Sequence, residues 1–269
     1  MRATISAIHV YPIKSCAPLS PPAADVELRG FSGDRRWMIV DADGKLLTAR
    51  EHPRLTLIHA LPDGEALTLD GPGMPRLRLL RPESESRVQA TVWRSRVGAL
   101  PAPHAANRWI SEFLRLAARF VFMDSACARP IDPDFSRPGD EVSFADGYPL
   151  LVISQAALDG LNDKLAVPVP MLRFRPSIVV AGTTPHAEDG WKRIRVGAVT
   201  FDVVKPCVRC VFTTVDFERG ELDPSGEPLR TLIAYRRSPQ GVTFGQNLIP
   251  RDTGMVRLGD GVEVLEHAL

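Results

Sequence analysis

Short apolar segments, each cut off by a turn signal, run through the first hundred residues of this chain and leave no room for long helices. ISAIHVYPI (5–13), RLTLIHAL (54–61), ALTLDG (66–71), PRLRLL (75–80) and RVQATVW (87–93) all read as strands of ordinary length. In RRWMIVDADGKLLTA (35–49) the pair Asp43-Gly44 stands between two apolar runs, where a hairpin turn is expected. Strands this short and this regularly spaced predict a barrel or sandwich rather than βαβ units. The fold class is therefore mainly β with a few helices (α+β).

Three segments depart from that pattern. In ANRWISEFLRLAARF, Trp109, Ile110, Phe113, Leu114 and Ala117 recur at helical spacing, which predicts a helix over about 105–117. Ser154 is placed to cap a second helix, QAALDGLNDKL, with Ala157, Leu158, Leu161 and Leu165 inward. EPLRTLIAYRR predicts a third, short one that opens near Pro228 and faces Leu229, Leu232 and Ile233 inward. Between the first two, the prolines and mixed charges of SACARPIDPDFSRPGDEV predict a surface loop. With 269 residues, enough for two cores, a boundary near 118 is expected, giving units 1–118 and 119–269. Strand signals return in SIVVAG, RIRVGAVTFDVV and MVRLGDGVEVLE, the last two each expected to turn back at a central Gly.

Charge and composition exclude several classes. Lys plus Arg number 33 against 32 Asp plus Glu, with no long single-sign run, so neither nucleic acid nor a membrane surface is expected as a partner. No stretch is long and apolar enough to span a bilayer, and the N-terminus lacks an export signal. Four cysteines, unevenly spread, do not make a disulfide framework, so a reducing cytoplasm is expected.

Two of those cysteines stand close together in KPCVRCVFTTVD (205–216), ahead of a β-branched and aromatic run that predicts a strand. Such a pair can be half of a zinc site, a redox dithiol, a ligand to another metal, or two packed thiols. Zinc lacks a second close pair of ligands, since Cys16 and Cys127 are isolated and the six histidines are scattered. A thioredoxin-like dithiol needs a helix N-terminus, which a following strand would not supply.

CVRCVFTTVD, together with YPIKS (11–15), GDRRWMIVDADGKLLTAREHPRL (33–55), FADGYPLLVIS (144–154), FRPSIVV (174–180) and FGQNL (244–248), resembles the MOSC-domain family. More narrowly, the chain is similar to the branch of the mitochondrial amidoxime-reducing component and its bacterial relatives, in the same order from about residue 5 to about 265. The resemblance implies an N-terminal β-barrel-like domain, a MOSC β-barrel, and molybdenum cofactor (Mo-molybdopterin) between them, not pyridoxal phosphate.

By the same resemblance, Cys210 binds molybdenum and is catalytic, a soft thiolate donor that leaves coordination positions open. Cys207 is then structural. Lys14, Ser15, Arg35 and Arg175 match positions that contact the cofactor, and an ammonium, a hydroxyl and two guanidinium forks suit a phosphate. Where the mitochondrial members place small hydroxyl residues, this chain has Gly147 and Tyr148, so contacts there would come from backbone amides. Val208 replaces a polar residue and would likewise offer only its N–H. Asp146 would orient a water or relay a proton, or else be a turn residue.

The implied activity is reduction of N-hydroxylated compounds (hydroxylamines, amidoximes, N-hydroxylated nucleobases), a detoxifying chemistry. With no Rossmann glycine fingerprint and no second cysteine cluster, electrons would come from an external ferredoxin or flavoprotein. The alternative from another class is a carrier that holds or sulfurates the cofactor without turnover.

Overall fold

The computed structural model describes residues 2–83 and 86–268. Most regular structure is strand, in five sheets among the described residues, of which the two largest are closed or nearly closed, with three helices outside them. This is the mainly-β class expected from the spacing of turn signals.

The larger sheet runs in the order Thr4–Ile8, Ile178–Ala181, Leu150–Ser154, Gly241–Pro250, Val199–Val208, Trp191–Val196, Val262–His267. All of these pairings are antiparallel except Leu150–Ser154 with Ile178–Ala181, which the helix Gln155–Asn162 connects in parallel. The two ends of the sheet meet. Thr4 bridges Gly261, the Ile5 N–H donates to Asp260 O at 2.9 Å, and the Val262 N–H donates to Ala3 O at 2.9 Å. Alternate residues of these strands, among them Ile8, Val152, Ile178, Ile194, Phe201 and Leu248, fill the interior.

The smaller sheet runs Trp37–Asp41, Ala118–Phe122, Ser95–Pro101, Val88–Val92. Trp37–Asp41 is buried on both faces, so its period-two alternation sends Trp37 and Ile39 into one cluster and Met38 and Val40 into another. The Asp43-Gly44 turn forms as expected, with Asp41 Oδ1 accepting from the Asp43 N–H at 2.9 Å and the Lys45 N–H at 2.8 Å. Its returning arm is not a full second strand. The Leu46 N–H donates to Thr91 O at 3.0 Å and the Leu47 N–H to Ile39 O at 2.9 Å, so the arm stitches the two outer strands and closes the small barrel. The strand Ala118–Phe122 follows the helix His104–Leu114 and stays in this sheet.

Four local expectations are corrected. RLTLIHAL begins as a 3-10 turn, Pro53–Leu57, and only His59–Asp63 is strand, because Pro53 favours a helical first turn. The first helix ends at Leu114, with Arg115 left-handed at φ 56°, and Ala118 already belongs to a strand. MVRLGDGVEVLE is not a hairpin. Gly254–Arg257 pairs with Ala23–Glu27, and Val262–His267 pairs with Trp191–Val196. The first strand separates the arms, since the Gly259 N–H donates to Ile5 O while Ile5 N–H is tied to Asp260. Finally, Val211–Thr214 is a 3-10 turn rather than strand. The Thr213 and Thr214 hydroxyls donate back to Cys210 O (3.0 Å) and Val211 O (2.8 Å), local bonds that compete with a ladder. The capped helix fares as expected, with Ser154 Oγ accepting from the Ala157 N–H at 3.3 Å. So does Leu229–Tyr235, although only Leu232 of its three inward candidates is fully buried.

Candidate functional site

Between the two sheets lies a cleft open to solvent, about 860 Å³ of empty space, and its lining includes Lys14, Ser15, Arg35, Asp146, Gly147, Tyr148, Arg175, Val208 and Cys210. Every residue singled out from the sequence therefore reaches one place, from segments as distant as 14 and 210. Chain topology explains how. The segment after Ile8 crosses from the large sheet to the small one, and there Lys14 N–H donates to Trp37 O at 2.9 Å. Cys207 and Val208 end the ten-residue strand Val199–Val208, and Cys210 precedes the 3-10 turn.

The backbone at this cleft is strained. Six non-glycine residues among those described have left-handed φ, and four of them, Ser15 (70°), Arg35 (47°), Trp93 (55°) and Arg175 (52°), line it. Each such residue costs on the order of 1 kcal/mol or more, and strain of this kind gathers where function fixes the geometry.

Tyr11, fully buried, is the hub of the basic wall. Its ring lies between two guanidinium groups, Arg175 at 4.0 Å and Arg35 at 4.4 Å from the centroid. Its hydroxyl donates to Pro176 O at 3.0 Å, and burial pushes its pKa up to about 12, so it stays neutral. Buried Asp34 accepts from the Tyr11 N–H at 2.7 Å and from Arg35 Nη1 at 2.5 Å, which fixes Arg35 as a cation. Arg175 pairs with no carboxylate among the described residues. Its Nη1 donates to Cys16 O at 2.7 Å, its Nη2 is buried with no partner, and burial pulls its pKa down to about 10. A buried donor with nothing to bind is costly unless a ligand supplies the acceptor.

The second wall centres on Asp146 at the mouth, where its side chain is 64% exposed. Oδ1 accepts from Lys14 Nζ at 2.5 Å and from Trp93 Nε1 at 3.2 Å, and Oδ2 from Arg50 Nη2 at 3.2 Å. Desolvation by the cleft walls opposes its charge, but Lys14 and Arg50 outweigh it and hold the carboxyl well below the usual carboxylate range. Burial lowers the Lys14 ammonium to about 8, against the pull of Asp146. Arg129 fastens the loop from behind, donating to the backbone oxygens of Ser143 (2.7 Å), Ala145 (2.5 Å) and Asp146 (2.8 Å). A side chain on Gly147 would meet nothing within 4 Å, so the cleft is open there. Tyr148 is half-buried with its pKa pushed up to about 12 by burial, and its ring meets Phe135 edge-on.

Cys210 is half-buried in the same lining. Burial raises the Cys207 thiol above its ordinary value, which keeps it protonated at neutral pH, and it packs beside the Phe174–Phe244 cluster. Arg209 between them is spent on backbone, donating to Phe244 O and Phe174 O. No three His, Cys, Asp or Glu side chains gather as a metal set among the described residues. In total the cleft presents six cations (Lys14, Arg35, Arg50, Arg173, Arg175, Arg209) against one carboxylate, Asp146.

Arg50, Trp93 and Arg173 were not singled out from the sequence. Arg50 lies inside the quoted stretch 33–55 without a distinguishing pattern. Trp93 is the last residue of the expected strand RVQATVW, and the turn that it occupies shows only in the structure.

The profile of the MOSC N-terminal beta barrel domain matches residues 2–117, and that of the MOSC domain matches residues 139–263. The chain belongs to the MOSC-domain family. This MOSC protein is 32% identical over 280 residues to mitochondrial amidoxime-reducing component 1 of Homo sapiens, covering 97% of this chain and 83% of that one. It is 34% identical to the Mus musculus protein of the same name, covering 97% and 82%, and 34% identical to mitochondrial amidoxime reducing component 2 of Rattus norvegicus, covering 96% and 82%. No helix among the described residues is long and apolar enough to cross a membrane.

Proposed function

We propose that this MOSC protein reduces N-hydroxylated compounds, such as amidoximes and hydroxylamines, with molybdenum cofactor seated in the cleft between units 1–118 and 119–269. One observation carries the reading: a basic cleft whose lining holds both an unpartnered, buried guanidinium nitrogen at Arg175 and a half-buried thiol at Cys210. The donor set fits the group. Arg175, Arg35, Lys14 and Ser15 would take its phosphate, and backbone N–H groups at Gly147, Tyr148 and Val208 would meet the pterin. Cys210 would be the one thiolate on the metal. When bound, the cofactor supplies two-electron reduction at a centre with free coordination positions.

The chain's own residues do the rest. The basic wall neutralises phosphate charge without needing solvent. Asp146 is an anion through the neutral range, so it accepts rather than donates. It orients Lys14 toward the phosphate, and at the exposed mouth its carboxylate can accept a bond from a water or from the substrate N–OH. The donor of electrons is a separate ferredoxin or flavoprotein. Four free cysteines suit a reducing compartment such as the cytoplasm. The names of the curated relatives support the substrate class.

The test is anaerobic turnover of benzamidoxime with a chemical reductant, alongside molybdenum and pterin analysis of the purified protein. Turnover that scales with molybdenum content supports the reading. Pterin without turnover, with transfer to a cofactor-free enzyme, would replace it by the carrier.

A further inference from the structure

The hairpin of Val88–Val92 and Ser95–Pro101 turns through just Trp93 and Arg94, with Val92 opposite Ser95. Asn, Asp or Gly normally occupies a left-handed position in such a turn, because a large side chain there crowds the backbone. Trp93 sits there at φ 55°. The residue is 42% exposed, whereas Trp37, Trp109 and Trp191 are 3–6% exposed, so burial does not explain it.

The ring is nonetheless fixed. The Arg50 guanidinium lies 4.2 Å from its centroid, and Nε1 donates to Asp146 at 3.2 Å. Holding Asp146 is not reason enough for the indole. Lys14 and Arg50 already bind that carboxylate, and Arg129 already holds its backbone. What the turn adds to the cleft is a rigid aromatic surface carried by the N-terminal barrel, whereas the other aromatics of the lining, Tyr148, Phe174 and Phe212, come from the second barrel.

We infer that Trp93 is the substrate platform, on which planar conjugated N-hydroxylated compounds stack, giving arylamidoximes and N-hydroxylated heterocycles preference over saturated analogues. The inference rests on the reductase reading above and names its substrate class. A flat π-system gains both contact area and offset stacking on the indole, while a saturated ring of equal size gains contact alone. Neutral N–OH groups also suit a cleft whose cations would repel a cationic substrate.

The experiment compares benzamidoxime with cyclohexanecarboxamidoxime, which keeps the reacting group and loses the aromatic ring, on the full cofactor-loaded protein. In Trp93→Gly, a residue that tolerates the turn's φ, the ratio of kcat/KM between the two should fall roughly tenfold, through the KM for benzamidoxime. Trp93→Phe should retain most of the ratio. Without reductant, benzamidoxime should quench tryptophan emission, and the quench should vanish in Trp93→Phe, whose remaining tryptophans are buried. An unchanged ratio in Trp93→Gly, or a quench that survives in Trp93→Phe, overturns the assignment. If the unsubstituted protein reduces neither amidoxime, the reductase reading fails, and the quench still decides whether Trp93 receives planar ligands.

Discussion

Arg175→Met isolates what the basic wall is for. Burial lowers the Arg175 pKa to about 10, and at about 1.4 kcal/mol per tenfold change in proton affinity the charged form is held at a cost of roughly 3 kcal/mol. The sign is that of a base whose folded pKa is depressed. Folded and unfolded chains both carry the charge at neutral pH, so the full cost opposes folding there, and it fades only above about pH 10. Methionine keeps the length of the stem and removes the cost. It gives up the bond to Cys16 O, about 1 kcal/mol, and the stack on Tyr11, up to about 2 kcal/mol when desolvated. These nearly cancel, so the cofactor-free variant should unfold within about 1.5 kcal/mol of the parent. Anion binding is another matter. A bound phosphate relieves the cost in the parent and finds no fork in the variant, so affinity for inorganic pyrophosphate should drop by up to about a hundredfold. Urea unfolding of cofactor-free protein, with and without pyrophosphate, measures both. A variant destabilised by more than about 3 kcal/mol that keeps its pyrophosphate response would refute the reasoning.

Cys210→Ser should abolish molybdenum content and turnover while the urea midpoint barely moves, and Cys207→Ser should be milder on both counts; elemental analysis separates them. Lys14 has a folded pKa of about 8, so between there and its ordinary value of 10.5 the unfolded chain binds the extra proton and stability should rise with pH. Over the same window pyrophosphate affinity should fall, and Lys14→Met should flatten both curves in titrations of unfolding and binding. Gly245→Ala places a Cβ 2.7 Å from Val152 O and 2.6 Å from Ile153 at φ 79°, so urea denaturation should show a loss of about 3 kcal/mol or more.

Much of the fold was legible because its signals are local. A turn at Asp43-Gly44, a cap at Ser154 and a helical stripe from Trp109 to Phe113 each depend on residues a few positions apart. Pairing partners are not local, and the expected hairpin at MVRLGDGVEVLE failed for that reason. Nothing within the segment says that residues 4–8 will part its arms. The strand Gly241–Pro250 was read only as the motif FGQNL, since its glycines weaken a strand signal that its central place in the sheet overrides.

The candidate site divides the same way. The residues that the resemblance brought forward all line one cleft, but their charge states are a tertiary matter. Nothing around FADGY says that Asp146 will meet Lys14, Arg50 and Trp93, and nothing around FRPSIVV says that Arg175 will be buried without a carboxylate.

By itself, the order of apolar and turn residues determined that this chain builds small barrels flanked by short helices, because backbone propensity and side-chain period act over a few residues. Which strands close each barrel, and which cations are left facing a common space without partners, was decided only by packing. Desolvation and Coulomb energies depend on what surrounds a group in space, and the segments that surround Arg175 and Cys210 lie far apart along the chain.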